Sequence, residues 1–569
     1  MPKVNATNRF TTAKTFAEQV RLALENYKTP QVLSSQSPLA KPYFLSHLVN
    51  QQVPYPLIEW GEVLIEALDQ AALRVYGADL PDRHALLVEA VEAEEERSGR
   101  GGRYDFFILE LNYFKRIYRP HPRNQADIYN DILYISRATY NRHLNAAIER
   151  LAKELLTIIR PTLRLETPFL PVPIVGRDGL RNQILEILYR RRTVSLIGPS
   201  GIGKTTLGSY LRVVWSNQRV FWYTFQPGLS DNVNSLLFAF GYFLHQAGHS
   251  SLWQQMVADS GKVDDLNMAF GLALSDLAEM DETPLLCFDE VDLLYAADID
   301  RENQQHVDLK SFLNRLRREA PLLLIGQRTI VEGDAVFEVG TLQVAEIEAW
   351  LHQVEVSFSD SDVRRLLTYT QGNPRLIGLC ISLHKLQSNA NALAETLDTL
   401  PRTPGYGTVW DRVRRRLAPV ERRLLQGLAV FRSPAPEDAF GGGIADDRVT
   451  DGGEKTSQSS DSPSSVITEA LDHLFTHNLI YRDGAGGLYL LPMLRDILYQ
   501  ELTIEQRERL HRDAAMMYGM RGEPTEAAFH FWKADQPEEA LAIWFPLRRQ
   551  EAERGNGPAA LNIFNEISA

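Results

Sequence analysis

Apolar residues recur every three or four positions over Arg21–Tyr27, Leu57–Tyr76, Arg83–Glu96, Phe106–Tyr118 and Ala126–Ile159. That spacing gathers them on one face of a helix, so residues 1–165 are expected to be helical. The glycines of residues 97–103 (RSGRGGR) read as a loop, and the four prolines of Arg160–Pro173 as a linker. From Val175 the period changes. Short β-branched and aromatic runs, Thr193–Ile197, Val220–Thr224, Leu285–Phe288 and Leu322–Ile325, alternate with helical stretches. This is the pattern of a parallel sheet covered by helices. Residues 344–400 return to helix. Over 405–503 short helices lead to a hairpin, with strands Leu479–Arg482 and Leu488–Leu491 and the turn Asp483–Gly487. Gly441–Ser465 is rich in Gly, Ser and Asp and is expected to be a disordered insertion. Residues 504–569 carry Ala514, Ala515, Ala527, Ala528, Ala540 and Ala542 at close-packing positions, as paired helices of a repeat array do. The array reads as short or truncated.

One stretch carries chemistry. Gly198-Pro-Ser-Gly-Ile-Gly203-Lys204-Thr205 matches GxxxxGK[ST] and lies between a strand (Val194–Ile197) and a helix (Thr206–Ser216), the context the motif requires. Gly198, Ser200, Gly201, Ile202 and Gly203 give a backbone that can wrap phosphates with N–H groups inward, and the helix start at Thr206 favours negative charge. Lys204 is suited to the β- and γ-phosphates and Thr205 to Mg²⁺. The partner run is Leu285-Leu-Cys-Phe-Asp289-Glu290, an apolar strand ending in two carboxylates. Asp289 suits the Mg²⁺ shell and Glu290 the attacking water, while Asp292 reads as a helix-start residue. A fourth strand ends in Gly326-Gln327-Arg328, where Arg328 could sense the γ-phosphate. The expected cofactors are ATP or ADP with Mg²⁺.

The remaining composition narrows the class. The 569 residues suggest about three to five domains. A net charge of −13 speaks against a chain built throughout to bind nucleic acid. Two distant cysteines, Cys287 and Cys380 in apolar runs, exclude a disulfide framework or a CxxC metal site. The N-terminus lacks an apolar signal segment and no run approaches a membrane span, so a cytoplasmic protein is expected. His84, His121 and His143 are isolated, and residues 1–165 hold no catalytic motif.

These motifs resemble the STAND class of signal-transduction ATPases, which includes the NB-ARC proteins and the maltose-regulon activators. Val175-Gly176-Arg177-Asp178 resembles the class's adenine-side entry motif, and Gly372-Asn373-Pro374-Arg375 its GxP motif, whose proline packs on the base. The resemblance implies a multidomain chain, mainly α, around a central α/β P-loop NTPase. It places the NTPase core at 166–343, a helical lid at 344–404, a winged helix at 405–503 and TPR-like repeats at 504–569. It further implies slow hydrolysis, a nucleotide-controlled conformation, self-association in the ATP state and a protein or ligand trigger at the repeats. One departure stands out. Family members often carry a histidine touching the ADP β-phosphate, and Leu490-Leu491-Pro492-Met493-Leu494-Arg495 has Leu491 at that place.

The region 126–156 resembles the helix-turn-helix of sigma-like regulators, with Ser136 as N-cap of its second helix. Arg137, Thr139, Tyr140 and Arg142 would fall on the first exposed turns. From Arg97 to Arg164 there are 13 Lys/Arg against 6 Asp/Glu, a local excess of about +7 in an acidic chain. Duplex DNA is thus a candidate partner. The leading expectation is an ATP-dependent transcriptional regulator. The alternative is a bacterial defence sensor of the same ATPase class whose N-terminus is a non-DNA effector or adaptor.

Overall fold

The computed structural model describes residues 15–49, 59–159, 175–215, 219–226, 230–259, 265–294, 304–330, 335–387, 393–400, 405–436, 439, 463–482, 486–553 and 556–567. The expected linker 160–173 lies outside them.

At the centre is a five-stranded sheet, with β1 (Thr193–Ile197), β2 (Val220–Thr224), β3 (Leu285–Asp289), β4 (Leu322–Ile325) and β5 (Ala335–Glu338). All pairings are parallel, in the order β2-β3-β4-β1-β5. Side chains alternate across the sheet. Val194, Leu196, Trp222, Cys287, Leu323 and Ile325 face one way, against the helices Asp178–Tyr189 and Lys204–Val214. Phe221, Tyr223, Leu286, Phe288, Leu322 and Leu324 face the other, against the helices Val233–Gln246, Leu266–Ala278 and Gln304–Leu316. A sheet buried on both faces needs near-continuous apolar strands, which is what Leu285–Phe288 and Leu322–Ile325 supply.

The second face is shared. The N-terminal helices, including Phe16–Glu25, Trp60–Tyr76 and Gly102–Leu109, belong to the same contiguous core as that side of the sheet. Phe44 is fully buried there, its ring 6.2 Å from Phe238 and 6.4 Å from Trp253. The N-terminal unit is therefore packed onto the α/β unit by an aromatic cluster, the type of contact that buries most area per residue.

Residues 126–159 do not form one helix. A short helical segment ends with Ile128–Ile132, Tyr134 adopts φ 50, and a new helix runs Arg137–Ile158. The Ser136 hydroxyl accepts from the Thr139 N–H at 3.1 Å and caps it.

A separate core joins the helices Val344–Gln353, Asp360–Thr370 and Pro374–Lys385, the hairpin domain and the first C-terminal helices. In the hairpin, β6 (Tyr481–Arg482) pairs antiparallel with β7 (Leu488–Tyr489). The strands are shorter than expected because Leu491 already caps the next helix, Pro492–Glu501. Of the expected insertion 441–465, residues 441–462 lie outside the described residues, and 463–465 instead open the helix Pro463–Thr476. In the antiparallel C-terminal helices Ile504–Met520, Pro524–Lys533 and Pro537–Trp544, five of the six marked alanines are buried, and Ala542 is exposed.

Candidate functional site

After β1 the chain turns through Gly198 (φ 148), Gly201 (φ 78) and Gly203 (φ 94) into the helix Lys204–Val214. A Cβ is penalised at such angles, so the backbone itself requires these glycines. The space is also taken. A Cβ on Gly201 would lie 3.2 Å from the Arg375 guanidinium, and one on Gly203 3.1 Å from Arg177. Two arginines from outside the loop therefore close over it. Arg177 Nη2 donates to the carbonyls of Ile202 (2.9 Å) and Gly340 (2.7 Å), tying the loop to the end of the sheet. Burial lowers its pKa, and Glu346 opposes that. The Lys204 ammonium, 8 % exposed, donates to the carbonyls of Gly198 (2.9 Å) and Pro199 (3.0 Å).

The acidic strand is not the neighbour of the loop strand, because β4 lies between them. The two meet nonetheless: Thr205 Oγ1 donates to Asp289 Oδ2 at 2.8 Å. Asp289 is 4 % exposed, and burial, then the charge of Glu290, push its carboxyl up to about 7. The Thr205 and Glu290 hydrogen bonds and the Lys204 charge pull the other way. A hydroxyl beside a desolvated carboxylate fits a hard divalent cation, which would restore the charge balance that burial removes. Glu290 sits at φ 55, a strained conformation for a long side chain, of the kind found at functional sites. Its carboxyl is raised by burial and then by Asp292, against Lys204 and Arg375. Asp292 does more than open the short helix Val291–Leu294. Its Oδ1 accepts from the Gln327 N–H at 2.8 Å and so fastens the end of β4 to the end of β3.

These groups wall a cavity of about 750 Å³ between the loop, the helices Val344–Gln353 and Pro374–Lys385, and the hairpin domain. Of the residues picked out in the sequence, Arg177, Ser200, Gly201, Gly203, Lys204, Thr205, Thr206, Asp289, Glu290 and Pro374 line it. Gly176, Gly198 and Ile202 stand behind the wall. A Cβ on Gly176 would strike Glu346 at 2.2 Å, one on Gly198 would lie 3.0 Å from the Val339 carbonyl, and Ile202 is buried in the core. Arg328 is exposed at the end of β4, outside the lining, because the chain turns outward after Gly326. Arg375, on the helix Pro374–Lys385, lines the cavity instead, and its charge acts on Glu290. Sequence could have marked it: Asn373 caps the helix by accepting from the Arg375 and Leu376 N–H groups, and Pro374 starts it. Trp350, Tyr406 and Arg432 also line the cavity and were not anticipated. Leu491 does line it, so an apolar side chain stands where the resemblance called for histidine.

At the N-terminal candidate surface, Arg137 and Arg142 are exposed and Thr139 is half-buried. Tyr140 is not a surface contact. It is fully buried, and its hydroxyl donates to Asn112 at 2.5 Å. The local positive excess is partly neutralised within the domain, with Arg116 on Asp69 at 3.0 Å and Arg150 on Asp105 at 2.7 Å. Among the described residues no cluster of His, Cys, Asp and Glu could hold a metal, and no helix is long and apolar enough to cross a membrane.

No family model matches the chain, and no curated protein matches it. Among solved structures it is similar to a STAND protein with a tetratricopeptide repeat sensor from Pyrococcus horikoshii (15 % identity, 70 % of this chain, 56 % of that one, TM-score 0.49). It is also similar to a Walker-type ATPase of Pyrococcus abyssi (14 % identity, 59 % of this chain, 98 % of that one, TM-score 0.32). The chain thus spans little more than half the length of the first. At these identities and scores the likeness speaks to neither partner nor reaction.

Proposed function

We propose that the protein is an ATP-binding, slowly hydrolysing switch of the STAND type, whose nucleotide state sets how the lid and the hairpin domain, read here as a winged helix, close on the core. The observation that carries this reading is the 2.8 Å bond from Thr205 to the desolvated Asp289, made across the intervening strand β4. It brings together the two motifs that a Mg²⁺–triphosphate site would need. Thr205 and Asp289 would hold a Mg²⁺ ion, which would supply neutralisation of phosphate charge at that place. The chain's own groups do the rest. The loop N–H groups and Lys204 hold the phosphates, Glu290 orients and accepts a proton from the attacking water, and Arg375 brings a positive charge from the lid. Arg375 takes the place first given to Arg328. Pro374 and Trp350 offer apolar surface for the base.

A lid that carries a phosphate-facing cation closes differently on ATP and on ADP, which is the differential contact a two-state switch needs. Self-association in the ATP state belongs to this reading. Of the two outputs, the transcriptional regulator is favoured by the exposure of Arg137 and Arg142 on the first turns of a capped helix. The test is titration with a fluorescent ATP analogue and Mg²⁺. Wild type should bind and Lys204→Ala should not, whereas equal binding by both removes the loop from the reading. Anisotropy with labelled duplex DNA, for wild type and Arg137→Ala/Arg142→Ala in ATP and in ADP, tests the output. Nucleotide-dependent binding lost in the double variant supports a regulator, and its absence throughout leaves the switch with a protein output.

A further inference from the structure

The strip Phe431–Pro434 follows the helix Pro419–Leu428 in the hairpin domain and forms part of the nucleotide cavity wall. Its other side is held by the C-terminal helices. Arg432 makes a two-pronged pair with Glu526, Nε to Oε2 at 2.9 Å and Nη2 to Oε1 at 2.7 Å. Its guanidinium also lies 4.1 Å from the centre of the Phe529 ring. Ser433 Oγ is 3.3 Å from the Tyr518 hydroxyl, and the Phe431 ring packs 6.0 Å from Tyr518 and 5.6 Å from His530. Glu526, Phe529 and His530 belong to the helix Pro524–Lys533, and Tyr518 to Ile504–Met520. One four-residue strip thus touches the nucleotide space on one side and the first helical repeat on the other.

Resting on the proposed nucleotide site, we infer that Glu526 is a positioning residue for that site: acting through Arg432, it fixes the cavity wall, so nucleotide retention and the seating of the repeats are coupled. The physics is that of a largely desolvated ion pair. The side chains are 23 % and 11 % exposed, so removing one partner leaves the other charge uncompensated. The planar fork of Arg432 is matched by both carboxylate oxygens, and neither Lys nor a shorter acid reproduces that match. When the repeat helix lifts, Arg432 loses its partner and the strip loses its anchor. When the strip is held, the cavity keeps its shape. By linkage the effect runs both ways, so a nucleotide that prefers the held wall also holds the repeat.

The experiment measures release of a fluorescent ADP analogue by stopped flow, together with amide hydrogen exchange over residues 523–533. It uses wild type, Glu526→Gln, Arg432→Lys and the double variant in the full chain. Each single variant should speed release about tenfold and lower exchange protection of 523–533, and the double should be no faster than the faster single. In wild type, adding nucleotide should raise protection of 523–533. Unchanged release in Glu526→Gln, alongside lost protection of 523–533, overturns the coupling and leaves the nucleotide site standing. Additive rates in the double variant overturn it equally. Failure of wild type to bind nucleotide overturns the site itself, and the coupling with it. Arg432→Lys keeps the charge and the stem of the side chain, so it reports even if Glu526→Gln folds poorly.

Discussion

Lowering the pH should loosen the first C-terminal helix pair before other parts of the chain, because of two histidines buried against each other. His511 Nδ1 and His530 Nδ1 are 2.8 Å apart, and His511 Nε2 is 2.9 Å from the Tyr499 hydroxyl. His511 is 1 % exposed and His530 fully buried. Burial lowers both pKa values. For His511, Lys533 and Arg507 add to the effect and bring it to about 4, and for His530, His511 and Arg432 add to it. A histidine whose folded pKa lies below its unfolded value of about 6.5 costs nothing above that value. It withdraws stability as pH falls from there toward the folded pKa, since the unfolded chain binds the proton and the folded one does not. For a fall to about 4, moving from pH 7.5 to pH 5 withdraws about 2 kcal/mol through His511 alone, or about a thirtyfold change in the opening equilibrium. His530 acts in the same direction. Amide exchange over residues 504–533, corrected for the intrinsic rate at each pH, reads this directly. Protection should fall by about that factor in wild type and stay nearly flat in His511→Asn/His530→Asn. Equal protection of wild type at the two pH values, or an equal fall in the double variant, would show that the pair does not govern this region.

Glu290→Gln should bind ATP about as tightly as wild type and hydrolyse it roughly 10²–10⁴-fold more slowly, measured as phosphate release; an unchanged rate excludes Glu290 as base. Arg375→Ala should weaken ATP more than ADP, by about tenfold or more for a charge-assisted contact, as read by competition titration. Equal loss for both nucleotides would place the guanidinium away from the γ-phosphate. Phe44→Ala should cost about 3–5 kcal/mol at the joint between the N-terminal and α/β units. Limited proteolysis should then separate the two units, and an unaltered digestion pattern would mean that the remaining contacts suffice.

The phosphate loop was legible because its requirements are local. Glycines at positive φ, a lysine and a hydroxyl at fixed spacing describe a backbone shape and its charge within eight residues. The strand-end pair Asp289–Glu290 was legible for the same reason. Arg328 and Arg375 show where local reading stops. Both follow helix or strand boundaries and both carry a cation, and only the path of the chain after Gly326 and the docking of the helix Pro374–Lys385 decide which one faces Glu290. Tyr140 fails differently. It lies four residues before Leu144, on the same buried stripe of the helix Arg137–Ile158, and its hydroxyl reaches Asn112 in the core.

By itself the sequence determined the elements and the motifs at their ends: a parallel sheet with a glycine-rich loop and an acidic strand end, capped helices before and after, and two cysteines too far apart for a disulfide framework. Each follows from short-range periodicity, dihedral limits and charge. Only the tertiary structure decided which faces meet. It placed β4 between the two motif strands while keeping Thr205 on Asp289, and it joined the N-terminal helices to the sheet through Phe44, Phe238 and Trp253. It also seated the repeat helix on the cavity wall through Arg432 and Glu526, 94 residues apart in sequence. Contacts of that range depend on how whole apolar faces are shared out among neighbours, and no window of sequence contains that sum.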